Sequence, residues 1–224
     1  MRYFFYLSAT KVNNLFAQIP KSRWKSIAAE VGFDVGLFSA KISGSPALNR
    51  DEGDYQKLLA VIRHLKSNSI LGSIDAPNDW VADETDAKMV LLEEGKHVVL
   101  FSGITAAGTA FALGGSAANV VGTPPSSKLE IGWSFLPSLL QSLQRYERIL
   151  EQGGLNAAST GAVIEQGTQR DQQEWMDLVQ TVQKNAPAPH VRVGFLAKRL
   201  LSGTHPYNGK KVLLATPVYV EQLG

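Results

Sequence analysis

The stretch Phe111-Ala112-Leu113-Gly114-Gly115-Ser116-Ala117-Ala118-Asn119-Val120-Val121-Gly122 constrains this chain more than any other. An apolar run enters two glycines and a serine, and a short helix-like turn then closes at Gly122. Glycines where a strand meets a helix expose backbone N–H groups, and a helix start carries partial positive charge. Such a corner suits a phosphate or a carboxylate. Gly114, Gly115 and Ser116 are therefore the first candidate ligand contacts. No Gly-Lys-Ser/Thr follows, and the third glycine of the dinucleotide fingerprint is missing. The alternative is a plain turn in which Ser116 caps the helix.

On either side of this corner the pattern mixes both kinds of element. Arg2 to Ser8 is aromatic-rich and reads as a strand. Val12, Leu15, Phe16 and Ile19 make a helical stripe stopped by Pro20, and a second helix is expected from Lys21 to Val31. Val35 to Ser43 alternates as a strand does. Tyr55, Leu58, Leu59, Ile62 and Leu65 mark a longer helix after the cap at Asn49. Gly72 to Pro77 leads into an acidic connector through Trp80 and Asp86. Met89–Leu92, a turn at Glu93–Lys96, His97–Ser102 and Thr109–Leu113 follow, joined too tightly for anything but antiparallel pairing.

Ser134 opens a Leu-rich helix, and Gly153 to Gly167 reads as a loop. Thr168 then opens a helix with Trp175, Leu178, Val179 and Val182 inward. Val191 to Leu201 is expected as a short helix. Lys211 to Val220 is a final strand, in which Pro217 demands an edge or a bulge. These readings give a single α+β domain over residues 1–224. Its mixed or antiparallel sheet is flanked by about five or six helices, with sub-parts 1–75, 76–132 and 133–224.

The charge is unevenly placed. The first acid is Glu30, preceded by Arg2, Lys11, Lys21, Arg23 and Lys25, and no acid lies between Asp177 and Glu221, where Lys184, Arg192, Lys198, Arg199, Lys210 and Lys211 stand. The carboxylates collect in the middle, so a basic face is expected if the two ends meet. The chain has no cysteine, which excludes disulfides, thiolate metal sites and a cysteine nucleophile and fits a cytoplasmic protein. The opening apolar run is too short for a signal core or a membrane span.

Ser8 and Lys11, just past the first strand, are further candidate ligand contacts. His64, His97, His190 and His205 lack metal-ligand spacing, so no metal is expected, and no cofactor is indicated. Asp83, Glu84 and Asp86 offer acid/base carboxylates, against a reading as a solvated connector. His205 and Tyr207 sit in a glycine-bounded loop that reads as a lid or as ordinary surface. The aromatic residues read as core, which argues against nucleic acid as a partner.

Several stretches together resemble an uncharacterised bacterial domain family found in conflict (defence) gene neighbourhoods. They are Arg2-Tyr3-Phe4-Phe5-Tyr6-Leu7-Ser8 with Lys11-Val12 and Leu15, Gly72-Ser73-Ile74-Asp75-Ala76-Pro77, and Leu113-Gly114-Gly115-Ser116 with Val121-Gly122. Phe195-Leu196-Ala197-Lys198-Arg199-Leu200 and Thr216-Pro217-Val218-Tyr219-Val220 complete the match. The resemblance implies a sensor or adaptor and no catalytic residue. The leading expectation is a sensor of a small anionic, nucleotide-like ligand. The alternatives are a hydrolase or transferase using Asp83, Glu84 or His205, and a structural domain that binds a protein partner or forms a homo-oligomer.

Overall fold

The computed structural model describes residues 3–20, 22, 50–92, 98–122, 139–140, 143–144 and 169–224. The chain divides into two units, one of residues 8–71 and one of residues 1–7 with 72–224. The first holds α1 (Ala9–Ala17) and α2 (Arg50–Ser67). Of the apolar stripes read from sequence, Val12, Phe16, Ile19, Leu58 and Leu65 are buried and Leu15, Tyr55, Leu59 and Ile62 half-buried, and Val61 is buried beside them. The two-residue β2 (Leu71–Gly72) marks the passage from one unit to the other.

The second unit is built of strands. These are β1 (Tyr3–Leu7), β3 (Trp80–Leu92), β4 (Val98–Ile104), β5 (Ala110–Ser116), β6 (His190–Thr204) and β7 (Lys211–Gln222), with the helix α3 (Gln169–Asn185) between β5 and β6. Strands β3, β4 and β5 form the antiparallel meander that the short turns require. Strand β7 then runs parallel to β5 and antiparallel to β6, and β6 returns to pair with β3. Every strand of the set β3-β4-β5-β7-β6 thus has two neighbours and the sheet closes on itself as a five-stranded barrel. This connectivity, a meander, a helix and a hairpin whose last strand lies parallel beside the third, is that of the OB-type Greek-key barrel.

This corrects the expected α+β sheet with five or six flanking helices: the described residues are mostly strands, in a closed barrel, with three helices. The largest single reason is Val191–Leu201, expected as a helix and found within β6. Val193, Phe195 and Ala197 line the barrel interior at period two. Leu196 fills an alternate position, and at the bulge between Arg199 and Leu201 both Leu200 and Leu201 pack on the outer core, so the run is apolar on both faces and its alternation is hidden. Asp83 to Asp86, read as connector, lie in β3, where Glu84 and Asp86 are exposed and Asp83 is half-buried.

Two cores result. Inside the barrel, Val99, Phe101, Phe111, Leu113, Phe195 and Leu213 pack with Ile74 and Tyr6. The Phe111 and Phe195 rings stack with centroids 6.3 Å apart. Outside, α3 lays Trp175, Leu178, Val179 and Val182 over Leu100, Ala112, Val212 and Leu214, with Leu139, Leu140 and Leu143 beside them. Strands β4, β5 and β7 are consequently buried on both faces almost throughout. Lys88 ties down the far end of this helix, its Nζ donating to the carbonyls of Gln183 at 3.3 Å and Ala186 at 3.1 Å.

Pro217 sits where the chain needs no donor. On one edge of β7 the β5 ladder stops at Ala215 and the β1 ladder begins at Tyr219. On the other edge the register jumps from Leu196↔Tyr219 to Ala197↔Pro217, the irregularity its sequence demanded. The expected strand Val35–Ser43, the turn Glu93–Lys96 and the loop Gly153–Gly167 lie outside the described residues. So do nearly all of the helix Lys21–Val31 and most of the helix after Ser134. Among the described residues no helix is long and apolar enough to cross a membrane.

Candidate functional site

The segregated charge of the sequence is resolved by strand pairing. The acidic β3 and its lead-in run antiparallel to the basic β6, so opposite charges become neighbours. Asp79 takes Arg199 Nη2 at 3.2 Å and Lys198 Nζ at 3.5 Å. Lys198 also lies over the Trp80 ring, 5.1 Å from its centre. Asp86 stands opposite Arg192 in the ladder. Within this unit, Arg192, Lys198 and Arg199 therefore face acids rather than forming a bare basic surface, and Lys210 and Lys211 lie beyond the acidic strand.

Gly114, Gly115 and Ser116 belong to β5, paired with Leu100, Val99 and Val98 of β4, and all three are buried. A Cβ on Gly114 would meet the Leu139 side chain at 2.2 Å, and one on Gly115 the Tyr6 ring at 2.6–2.8 Å. The glycines are thus the gap through which a leucine packs on one face and a tyrosine on the other. The Tyr6 hydroxyl in turn accepts from Asn119 Nδ2 at 3.2 Å. Ser116 accepts the Ala118 N–H at 3.3 Å and caps a 3₁₀ turn, Ala117–Asn119.

Ser8 and Lys11 lie in the other unit. Ser8 is buried at the cap position of α1, its carbonyl accepting from Val12 N at 3.0 Å, and its side chain makes no cap bond. Burial pushes the Lys11 ammonium from 10.5 down to about 8.

The carboxylate and imidazole candidates are engaged in architecture. Asp83 Oδ2 accepts the Ile74 N–H and Oδ1 the Glu84 N–H, both at 2.9 Å. This holds the Gly72–Pro77 segment so that Ile74 is buried in the barrel core. Gly72 is indispensable there, since a Cβ would strike Ala76 O and Asn78 N at 2.4 Å. Glu84 and Asp86 are exposed on the outer face of β3.

The β6–β7 loop is the best-built surface feature. His205 has a side chain only 5% exposed, and its Nε2 lies 2.8 Å from Asp177 Oδ1 on α3. Its Nδ1 accepts the N–H groups of Tyr207 at 3.3 Å and Asn208 at 3.4 Å, which puts the ring proton on Nε2, donating to Asp177. Asn208 Nδ2 donates to Gln180 Oε1 at 3.1 Å, three residues further along α3. Bonds from His205 N to Lys210 O at 2.8 Å and from Gly209 N to His205 O at 2.9 Å close the loop, with Gly209 at φ +67°. From this fixed frame Tyr207 stands 80% exposed, and Lys210 is exposed beside it.

His205 and Tyr207 were visible as a pair in the sequence. Their division of labour was not, because Asp177 and Gln180 are about thirty residues away and nothing local points to them.

Compared with known proteins, the chain matches the model of a family described as a family of unknown function (DUF7019) over residues 2–224. No curated protein and no solved structure matches it.

Proposed function

The chain belongs to that family, whose description assigns no activity, and from its own geometry we propose a binding module, a sensor or adaptor for a small anionic ligand. The observation that carries this is the use made of the chemically capable side chains. Both oxygens of Asp83 and both nitrogens of His205 are taken up in holding loops, which makes them supports rather than acid/base groups. A general base needs an open side towards its substrate. The resemblance in sequence adds a bacterial setting in a defence gene neighbourhood, where ligand-sensing adaptors are useful. Thermal-shift screening against nucleotides with and without Mg²⁺, coupled to product analysis, tests the reading. Stabilisation without turnover is the expected result; Mg²⁺-dependent product formation overturns it.

A protein partner is favoured by a second surface. Tyr3, 61% exposed, packs edge-on to Phe5 with ring centroids 5.7 Å apart, and Val121, 48% exposed, donates its N–H to the Phe5 carbonyl. An apolar strip along a strand edge suits a protein surface. Light scattering of the wild type and of Tyr3→Ser distinguishes it: a stable oligomer that dissociates in the variant supports this role.

A further inference from the structure

We infer that the β6–β7 loop is a nucleotide-binding site, with Tyr207 as the stacking platform for a base and Lys210 as the contact for a phosphate. The inference rests on the binding-module reading and gives it a location. OB-type barrels bind ligands on the outer face of their second and third strands and on flanking loops, including the one between strands four and five. Here those strands are β4 and β5, and their outer face is closed by α3 and by Leu139, Leu140 and Leu143. The loop between strands four and five, residues 205–210, stays open.

Its construction points the same way. An aromatic ring left 80% in water gains little for the fold beyond a tilted contact with the His205 ring, centroids 6.1 Å apart, yet the backbone beneath it is fixed from both sides. His205 binds the amides of Tyr207 and Asn208 from below, and Asn208 is tied to α3. Pinning lowers the ordering cost of any ligand that lands on the ring. The sequence around the ring, His205-Pro206-Tyr207-Asn208-Gly209-Lys210-Lys211, carries two lysines and no acid. Asp177, the carboxylate bonded to the loop, is already held by His205, and that of Asp75 takes the Thr105 hydroxyl at 2.7 Å. Lys211 Nζ donates to the Asp75 carbonyl at 3.0 Å, which leaves Lys210 as the cation directed to solvent. A flat hydrophobic ring beside a positive charge matches a base carrying a phosphate. The same chemistry is offered by a free nucleotide and by a single-stranded oligonucleotide.

The test uses the full chain with ATP and GMP by calorimetry, and a short fluorescein-labelled thymidine oligomer by anisotropy, at two salt concentrations. Binding should weaken about tenfold in Tyr207→Ala. Lys210→Gln should weaken it as well and flatten its salt dependence. Both side chains are exposed, so the melting temperatures should stay at the wild-type value. Binding of mononucleotides identifies the free ligand as the source, and binding of the oligomer alone identifies a strand. The site is overturned if the wild type binds neither, or if binding is unchanged in both variants. Should another ligand or a protein bind without turnover in that case, the binding-module reading stands and this location falls.

Discussion

The end of β5 and the β6–β7 loop teach opposite lessons about glycine-rich stretches. Gly114-Gly115-Ser116 has the look of a ligand corner, yet each glycine makes room for a neighbouring side chain, Leu139 on one face and Tyr6 on the other. The loop at residues 205–210 has the look of an ordinary surface turn, yet its backbone is held by a buried imidazole and it lifts Tyr207 into solvent. What separates them is where the backbone donors go. In β5 the residues lie in a ladder, covered on both sides. In the loop the donors are satisfied from beneath by one side chain, which leaves the upper surface unobstructed.

The sharpest way to break this contrast is Gly114→Val. Its side chain would overlap Leu139, and we expect a loss of about 3 kcal/mol or more in chemical denaturation. A variant of wild-type stability would mean that the strand end is not packed as described. His205→Ala comes next. It leaves two loop amides without their acceptor and removes the bond to Asp177, an expected cost of about 2 kcal/mol. Hydrogen exchange should quicken at Tyr207 and Asn208 while the β5 amides stay protected.

Lys11→Met, in the other unit, sets a background against which to judge both. A depressed ammonium makes the unfolded chain bind more protons between pH 8 and 10.5, so wild-type stability should rise with pH across that window. The variant should gain about 1 kcal/mol near neutrality, discounted for partial exposure, and lose the slope. Tyr207→Ala is the smallest: under about 0.5 kcal/mol in stability, as for any exposed side chain. A large loss would show that the ring supports the fold and would erase the contrast.

Legibility in the sequence followed exposure. Helix α3 was readable because one side meets water and the other meets the barrel, so Trp175, Leu178, Val179 and Val182 fall at helical spacing. The meander was readable because its connections are too short for a crossover. Strand β6 was not, since apolar residues occupy both of its faces and period two is lost. The acids of β3 misled for the converse reason. Asp86, and Asp79 just before the strand, look solvated in one dimension, and their basic neighbours are supplied by a strand more than a hundred residues later. The same distance concealed the role of His205. Pro217 was legible in kind, since a missing donor restricts it to few places in any sheet.

Strand β7 touches β1, β5 and β6, and its pairing with β5 joins segments about a hundred residues apart. During synthesis, then, the ring stays unsealed until residues 211–222 have emerged, and until then three strands present bare edges to solvent or to one another. A chain stopped before Lys211 should collect in inclusion bodies rather than accumulate as a looser version of the same protein, and co-expressed residues 205–224 have a defined slot to fill.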